Sequence, residues 1–357
     1  NLHFKGTKMK LMFINYIYKD AGSIMDIYSY SKAADKLGHK ILIYGKPQKD
    51  IPLNFSLNTK DVDYLIFILE WTTFTNNRDR LDLTRLLNTI TRHKRIVIDC
   101  DGNYNKKVLI KKDYNHKTIK QSKDWIKIIN SISDRIYQPS LKPKRNNVET
   151  FFFHAYDKNW EVPLDFHKKF FDMIYVGHNK FRWVPMEIVL NAIKPIRNSL
   201  KKIGIYGHGW DKQPEWSKKL NVEDNYLSKP KMLKKLDIEV LEPIHFSKLI
   251  STMSLATFNP IIFRSVFMHF RLTTPRMYET FAANTIPLLS MGKKIAEIHF
   301  GKSAKYLVLP KKNPEKKLLD IITNPDKYKA IVQDIRNYLH KYHSHELRLK
   351  ELINFLK

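Results

Sequence analysis

The chain has 357 residues, of which 43% are hydrophobic and 12% aromatic, a composition that excludes a disordered protein and leaves room for two domains. Its 63 lysines and arginines outnumber 35 acidic residues, for a formal net charge of +28, which favours polyanionic neighbours such as nucleic acid, an anionic membrane surface or phosphorylated ligands. A coding bias toward Lys, Asn and Ile is the alternative explanation of that charge.

The cysteine content and the hydropathy of the sequence indicate the cellular compartment in which the protein is expected. Cys100 is the single cysteine, so no intramolecular disulfide is expected. No stretch approaches the roughly 20 apolar residues of a membrane-spanning helix, and no secretory signal is visible. A cytoplasmic protein is therefore the expectation. Residues 1–8 are interpreted as the remnant of a purification tag.

The first half alternates apolar runs with helical patterns, which is typical of a parallel sheet with right-handed crossovers. The predicted strands are Lys10–Tyr18, Lys40–Tyr44, Asp63–Leu69, Arg95–Cys100, Asp134–Tyr137 and Thr150–Tyr156. The predicted helices are Ile24–Leu37, Arg80–His93 and Trp125–Ile132. Ligands of such sheets bind at the carboxyl ends of the strands. One crevice is therefore expected to contain Asp20, Gly22, Glu70, Asp99 and Asp101.

The same alternation restarts in the second half. The predicted strands are Phe171–Val176, Ile203–Tyr206, Ser254–Asn259, Ile286–Leu289 and Tyr306–Leu309. The predicted helices are Trp183–Leu200 with a break at Pro195, His245–Thr252, Pro314–Thr323 and Pro325–Leu356. We expect domains over 9–168 and 169–325, and a C-terminal helix over 326–357 that crosses back to the first domain. The run from His340 to His345 has metal-ligand spacing, but a solvated helix end is the favoured interpretation.

The stretch from Thr273 to Ser290 predicts a helix, a tight turn and a buried strand. Pro275 suits the first turn of the helix, and Asn284 is a candidate for the left-handed residue that ends it. The helix has one carboxylate, Glu279, and one guanidinium, Arg276. A carboxylate in this position can accept both hydroxyls of a ribose, and an arginine can clamp a phosphate. An amphipathic helix with a solvated ion pair is the alternative.

Two common nucleotide-binding motifs are absent. No G-x-G-x-x-G follows the first strand, and no G-x-x-x-x-G-K-[ST] occurs anywhere. This excludes a typical dinucleotide-dependent dehydrogenase and a P-loop enzyme.

Four motifs in the second half, in this order, resemble the donor-binding domain of the CgeB-type (spore-maturation) glycosyltransferases of the GT-B fold. They are Ile174–Gly177, Ile205–Trp210, Glu242–His245 and Thr274–Ala282. In the first half the resemblance is looser and rests on Ile98–Gly102 and Phe153–Asp157. It implies two Rossmann-like domains that face each other across a cleft, the first binding the acceptor. It also implies sugar transfer from a nucleotide sugar, with a UDP-sugar favoured, and no further cofactor.

The resemblance also implies roles for individual residues. Glu279 would hold the ribose, and Arg276 with the Gly177–Arg182 turn would meet the diphosphate. The backbone at Leu241–Pro243 would frame the base. The complete set of donor-binding candidates is Glu279, Arg276, Gly177, His178, Arg182, Tyr206, His208, Trp210, Pro243 and Thr274. For His178, His208 and Trp210 an ordinary turn or packing role is the alternative. No Asp-x-Asp motif stands in the donor half, so a metal is not expected.

Two departures from the family pattern leave the stereochemistry open. Arg271 stands where many retaining relatives have a glutamate, and Asn284 stands where they have glycine. An inverting transfer needs a base beside the acceptor hydroxyl. The catalytic candidates are Asp99, Asp101, Asp20 and His154. A plain Asp-Gly turn is the alternative for Asp101, and a satisfied core histidine is the alternative for His154.

Two kinds of molecule are candidates for the acceptor that receives the sugar. An envelope glycan or polymer, reached by peripheral contact with the cytoplasmic membrane face, is favoured by the family. The net charge and the Lys-rich segments 105–120 and 141–145 favour DNA, as in phage enzymes that glycosylate hydroxymethylated bases and have a similar turn to Asn284–Pro287. The host compartment is then the cytoplasm of a bacterial or phage-infected cell. The rival class is a non-catalytic protein that binds nucleic acid or a membrane surface on the same scaffold.

Overall fold

The computed structural model describes residues 8–15, 23–70, 83–105, 125–219 and 223–357. Several sequence predictions fall outside these ranges. They concern tag residues 1–7, the catalytic candidate Asp20, its neighbour Gly22 and most of the Lys-rich segment 105–120.

Within these ranges the first half of the chain forms a parallel sheet of seven strands in the spatial order β3-β2-β1-β4-β5-β6-β7. The strands are β1 (Lys10–Ile14), β2 (Lys40–Tyr44), β3 (Phe55–Ser56), β4 (Tyr64–Leu69), β5 (Arg95–Asp99), β6 (Arg135–Gln138) and β7 (Val148–Thr150). The described helices are α1 (Ile24–Lys36), α2 (Leu83–Thr89) and α3 (residues 125–132). Alternate residues of β1 enter two different apolar clusters, so both faces of the sheet are buried, as in other sheets with helical crossovers.

The second half forms a parallel sheet of five described strands in the order β10-β9-β8-β11-β12. The strands are β8 (Phe171–Val176), β9 (Lys202–Tyr206), β10 (Ile238–Leu241), β11 (Ala256–Ile261) and β12 (Ile286–Leu289). The helices are α4 (Trp183–Ile193), α5 (Glu215–Lys219), α6 (Pro230–Lys235), α7 (Leu249–Met253), α8 (Ser265–Phe270), α9 (Arg276–Ala282), α10 (Lys293–Phe300), α11 (Pro314–Thr323), α12 (Lys329–Tyr342) and α13 (His345–Leu356). The predicted α/β class with two Rossmann-like sheets is confirmed.

Two predicted strands are wrong. The strand Thr150–Tyr156 is replaced by the short β7, after which the chain is extended and Phe151 and Phe153 enter the apolar core. The strand Tyr306–Leu309 is replaced by a 3-10 helix over Lys302–Leu307 and a single bridge between Leu289 and Val308. In both places the apolar residues are buried by packing and not by sheet pairing, a distinction that an apolar run does not carry.

Asn284 is not the left-handed residue that was predicted to end α9. The helix ends at Ala283, which is extended with φ −73° and ψ 153°. The Asn284 side chain instead accepts from the Asp165 N–H (2.8 Å) and donates to the Asp165 carbonyl (2.7 Å). Asn284 therefore fastens the turn after α9 to the segment that enters the second sheet.

The C-terminal segment crosses back to the first sheet, but as two helices. The chain breaks between α12 and α13, where the Tyr156 N–H donates to the His343 carbonyl (2.8 Å) and Ser344 is extended. The last helix packs on α1, and Tyr64 Oη donates to the carbonyl of Leu356 (2.6 Å). The predicted crossing is thus confirmed, and the predicted single helix is wrong.

The carboxyl ends of the two sheets face each other. Ser140 Oγ, beyond β6, donates to the Phe270 carbonyl (2.6 Å), and the Thr273 N–H donates to the Pro139 carbonyl (2.8 Å). A Cβ on Gly102, beyond β5, would lie 2.9 Å from the Leu272 side chain. The loops of the first sheet therefore touch the segment that leads into α9, and a cleft lies between the two halves.

Candidate active site

Two loops that follow β8 and β9 come into direct backbone contact. Gly207 has φ +142°, and a Cβ there would lie 2.4 Å from the Gly177 carbonyl oxygen, so the contact requires glycine. Trp210 Nε1 donates to that same carbonyl (2.8 Å), and Asn179 Nδ2 donates to the Gly209 carbonyl (2.6 Å). The loop after β8 is therefore held firmly at the edge of the sheet where ligands bind.

A pair of histidines lies on this loop contact. The rings of His178 and His208 stack with centroids 5.1 Å apart and planes 6° apart. The His208 N–H donates to Nδ1 of His178 (3.1 Å), which leaves Nε2 of His178 as the protonated nitrogen. Burial, with help from the charges of His208 and Arg182, lowers the pKa of His178 to about 4. His178 is thus a neutral hydrogen-bond donor at physiological pH.

The same loop contains the basic residues Lys180 and Arg182, and the charge of Arg264 also acts on it. Lys180 is buried, and burial together with the charge of Arg264 lowers its pKa well below the usual value. The carboxylate of Asp101 opposes this shift, and Arg182 adds to it. The guanidinium groups of Arg182 and Arg264 suit a diphosphate, because phosphate oxygens can accept charge-assisted hydrogen bonds from them.

Arg276 and Glu279 lie on consecutive turns of α9 with Nη1 and Oε2 3.2 Å apart. Glu279 is 3% exposed. Burial raises the pKa of Glu279 to about 7, although Arg276 opposes the shift. The pair therefore joins a buried carboxylate to a half-buried guanidinium, and the alternative of a solvated ion pair does not describe it. The carboxylate of Glu279 can exchange its contact with Arg276 for hydrogen bonds from two ribose hydroxyls.

The remaining donor-side candidates divide into two groups. Tyr206, Pro243 and Thr274 are half-buried at the carboxyl ends of β9 and β10 and at the start of α9. Trp210 is 0% exposed and packs against Tyr175, with ring centroids 5.5 Å apart. Its prediction as a donor-contacting residue is corrected, because its ring has no face open to a ligand. Trp210 instead holds the Gly177 carbonyl.

Asp99 is corrected as a base candidate. Its side chain is 0% exposed. Its two oxygens accept from the N–H groups of Asn103 and Tyr104, both at 2.8 Å, and from Gln138 Nε2 at 2.8 Å. Asp99 therefore shapes the turn beyond β5, and its burial keeps an acceptor hydroxyl from reaching it.

Asp101, unlike Asp99, has a carboxylate oxygen that is not engaged in a hydrogen bond within the described part of the chain. It is half-buried, and its Oδ2 has no hydrogen-bond partner among the described residues. The next residue, Gly102, approaches the second half, since a Cβ there would lie 2.9 Å from the Leu272 side chain. The charge of Asp101 also opposes the fall in the pKa of Lys180. Asp101 is thus a described carboxylate of the first half with an oxygen available to a ligand, at the edge of the sheet that approaches the second half.

His154 belongs to a buried network that the sequence reasoning missed. Its Nδ1 lies 2.9 Å from one oxygen of Asp26, and Nε2 of His345 lies 2.8 Å from the other. Burial disfavours the charged imidazole, but Asp26 outweighs it and raises the pKa of His154. Burial would likewise raise the pKa of Asp26, but the two histidines hold it below its usual value. The signal in the sequence is an aspartate on the apolar face of α1, between Ile24 and Ile27.

The predicted solvated helix end at His340–His345 is corrected by the same network. His345 is buried against Asp26. His343 is buried beside Arg348, and Nη2 of Arg348 lies 2.6 Å from Nδ1 of His343. Burial lowers the pKa of His343 to about 3. The spacing of this run thus reflects packing of the break between α12 and α13.

The two facing Rossmann-like sheets define a GT-B fold. No family model and no curated protein sequence matches the chain, whereas solved structures match over nearly its whole length. T4 phage BGT in complex with UDP and Mn2+ is 14% identical with a TM-score of 0.59, covering 98% of this chain and 99% of that chain. An alpha-glucosyltransferase in complex with UDP and a 13-mer DNA containing an HMU base is 12% identical with a TM-score of 0.65, at the same coverage. T4 phage BGT with its UDP-glucose substrate is 13% identical with a TM-score of 0.55, again at that coverage.

No helix in the described part of the chain combines the length and apolarity needed to cross a bilayer.

Proposed function

We propose that the protein transfers a sugar from a UDP-sugar to a hydroxymethylated base in DNA, without a metal ion in the chemical step. The observation that carries this proposal is Asp101, a half-buried carboxylate whose Oδ2 has no hydrogen-bond partner among the described residues. Its neighbour Gly102 approaches the second half, because a Cβ there would lie 2.9 Å from the Leu272 side chain. A base on one side of the cleft and a phosphate-binding loop on the other are the two parts that glycosyl transfer requires.

The donor binds to the second half. Glu279 accepts the ribose hydroxyls, and the uracil lies by the strand ends that contain Tyr206 and Pro243. Arg276, Arg182 and the Nε2–H of His178 bind the diphosphate, because fixed cations and donors stabilise the charge that develops as it leaves. This cluster supplies the neutralisation that a divalent metal supplies in other enzymes.

In the chemical step Asp101 removes the proton of the acceptor hydroxyl. The hydroxyl oxygen attacks the anomeric carbon, the bond from that carbon to the diphosphate breaks, and UDP leaves with the bonding electrons. A single displacement of this kind inverts the anomeric centre. An α-linked UDP-sugar therefore gives a β-linked product.

Two observations favour DNA over an envelope glycan. The net charge of +28 suits a phosphate backbone, whose neutralisation supplies much of the affinity of DNA-binding proteins. A structural neighbour that covers 99% of its own length is an alpha-glucosyltransferase with bound DNA. Kinship with the CgeB-type enzymes remains part of the proposal, and it rests on the four motifs between Ile174 and Ala282.

The test is a transfer assay with labelled UDP-glucose and two duplexes of equal sequence, one with hydroxymethylated and one with unmodified bases. We expect label only in the modified duplex, undiminished by EDTA, and linked as the β-anomer. Asp101→Asn should lower kcat by about 10²–10⁴-fold while the affinity for UDP-glucose is kept. The matched control is Asp134→Asn, which changes an exposed aspartate paired with Arg92 at 2.7 Å and should leave kcat unchanged.

Each outcome against the proposal has a distinct meaning. An α-linked product would remove Asp101 from the role of base. Transfer to a glycan acceptor and not to either duplex would replace DNA by an envelope polymer. Salt-sensitive DNA binding without affinity for any nucleotide sugar would favour the non-catalytic binding protein.

A further inference from the structure

Three side chains with different donor atoms converge at the carboxyl ends of β4 and β5. They are Glu70, Cys100 and His154, and a carboxylate oxygen, a sulfur and a ring nitrogen all lie within 4.8 Å of one another. The three residues come from distant parts of the chain, so that only the folded protein brings them together. Neither the donor site nor the base role of Asp101 makes use of this grouping.

The donor set is the one that zinc prefers. Zn²⁺ binds thiolate sulfur, imidazole nitrogen and carboxylate oxygen in tetrahedral sites. A tetrahedral site requires its ligand atoms about 3.5 Å apart. The observed separations are within reach of that value through rotation of the half-buried Glu70 side chain, which has three rotatable bonds.

The second shell around His154 is that of a metal ligand. Its Nδ1 donates to Asp26 (2.9 Å), which leaves Nε2 free to bind a metal. Asp26 is itself held by the Ala155 N–H (3.2 Å) and by His345 Nε2 (2.8 Å). Metal-bound histidines almost always donate their other N–H to such an acceptor, which fixes the orientation of the ring.

Burial gives the site a closed and an open side. Cys100 and His154 are each 2% exposed, whereas Glu70 is half-buried. Access to the cluster is therefore from the side of Glu70. Three protein ligands leave the fourth position of a tetrahedron for water or another small ligand, as in zinc sites with an open position.

We propose that Glu70, Cys100 and His154 bind one zinc ion and that Asp26 is the outer-shell acceptor that orients His154. On binding, the Cys100 thiol loses its proton to solvent, and a sulfur–zinc bond forms without any redox change. The proposal rests on these four residues alone and does not depend on sugar transfer.

The experiment uses the full chain without a polyhistidine tag, stripped by a chelator, with no nucleotide or acceptor present. Titration with Co²⁺, which reports coordination by colour, should give one equivalent of a tetrahedral spectrum with a thiolate-to-cobalt charge-transfer band. One equivalent of Zn²⁺ should then displace it. Cys100→Ser should abolish the band, and Asp26→Asn should weaken Zn²⁺ affinity by about 10–100-fold.

Two further variants keep the result interpretable if Asp26→Asn disturbs folding. Glu70→Gln changes a half-buried carboxylate of the site and should weaken Zn²⁺ binding. Asp134→Asn changes an exposed carboxylate that is paired with Arg92 at 2.7 Å and is not a ligand, and it should bind Zn²⁺ like the unaltered protein. An octahedral cobalt spectrum, no charge-transfer band, or equal binding by Cys100→Ser would overturn the proposal. Because nucleotide is absent, such a failure says nothing about glycosyl transfer.

Discussion

The indole Nε1 of Trp210 donates a 2.8 Å hydrogen bond to the carbonyl of Gly177. The two residues belong to different loops, and Gly177 opens the turn that contains His178 and Lys180. A fully buried ring in the core of the second half thus fixes the backbone of the loop after β8, which is the phosphate loop of our proposal.

We expect Trp210→Phe to lower both stability and nucleotide affinity. The variant keeps an aromatic ring but leaves the buried Gly177 carbonyl without its donor, at a cost of about 1–3 kcal/mol. The loop then loses its fixed position, and UDP affinity should fall. Denaturant unfolding and calorimetric titration of UDP measure the two effects. The control is Trp160→Phe, since Trp160 lies against His345 with ring centroids 5.8 Å apart and should affect stability alone. Equal UDP affinity in both variants would contradict a role of Trp210 in the loop.

Nucleotide affinity should depend on pH through Glu279, whose pKa is raised to about 7 by burial. Its ionised form accepts ribose hydroxyls more strongly than the protonated form. The affinity for UDP-glucose should therefore rise about tenfold between pH 6 and pH 8 and be lost as the pH falls. UDP-glucose is preferable to UDP, whose terminal phosphate itself titrates at about pH 6.

Glu279→Gln provides the comparison for that pH profile. Its affinity should be lower by about 10–100-fold at pH 8, as expected for the loss of hydrogen bonds to a charged group. Its affinity should also be flat from pH 6 to 8. A tenfold rise that persists in Glu279→Gln would assign the titration to another group.

Gly207→Ala should displace the phosphate loop. A Cβ at this position would lie 2.4 Å from the Gly177 carbonyl oxygen at φ +142°, so the backbone has to move. We expect a loss of about 1–3 kcal/mol in the free energy of unfolding together with weaker UDP binding. Gly292→Ala is the matched control, because nothing lies within 4 Å of a Cβ there. It should cost less than about 1 kcal/mol and leave UDP binding unchanged. If Gly207→Ala and Gly292→Ala have the same unfolding free energy and the same UDP affinity, the contact between the loops after β8 and β9 contributes to neither.

Asp26→Asn should be strongly destabilising. Asp26 is 2% exposed and bridges His154 and His345, so it joins α1 to the C-terminal helix. Removal of one partner from a buried charged network costs about 3–5 kcal/mol. Asp35→Asn, on the exposed face of the same helix, should stay within about 0.5 kcal/mol of the unaltered protein. Urea unfolding measures the free energy of unfolding of both variants. Similar midpoints for the two would mean that the histidines are satisfied without Asp26.

Part of the candidate site follows from local patterns alone. Glu279 and Arg276 stand three residues apart, which places them on one helix face, and the structure has them 3.2 Å apart. Asp101 follows an apolar run that ends in a turn, and the carboxyl ends of parallel strands hold the binding residues. Both inferences need only the helix period and the strand direction.

Other parts could not be predicted, because they depend on contacts between distant segments. Asp99 and Asp101 are equivalent by sequence, and only the turn beyond β5 directs Asp99 inward to Gln138 and leaves Asp101 at the cleft. The sequence around Trp210 is compatible with a donor contact and with a packing role. Its burial depends on packing against Tyr175, which the sequence does not indicate.

The sequence by itself determined most of the central strands and helices and the two parallel sheets that they form. These follow from hydrophobic periodicity, which is local and repeated in every element. Only the tertiary structure decided that Asp26 joins His154 to His345, that Cys100 meets Glu70, and that Asn284 fastens Asp165. Each of these pairings is set by the shape of a particular packed interface between segments far apart in the chain, and residue type and spacing contain no record of that shape.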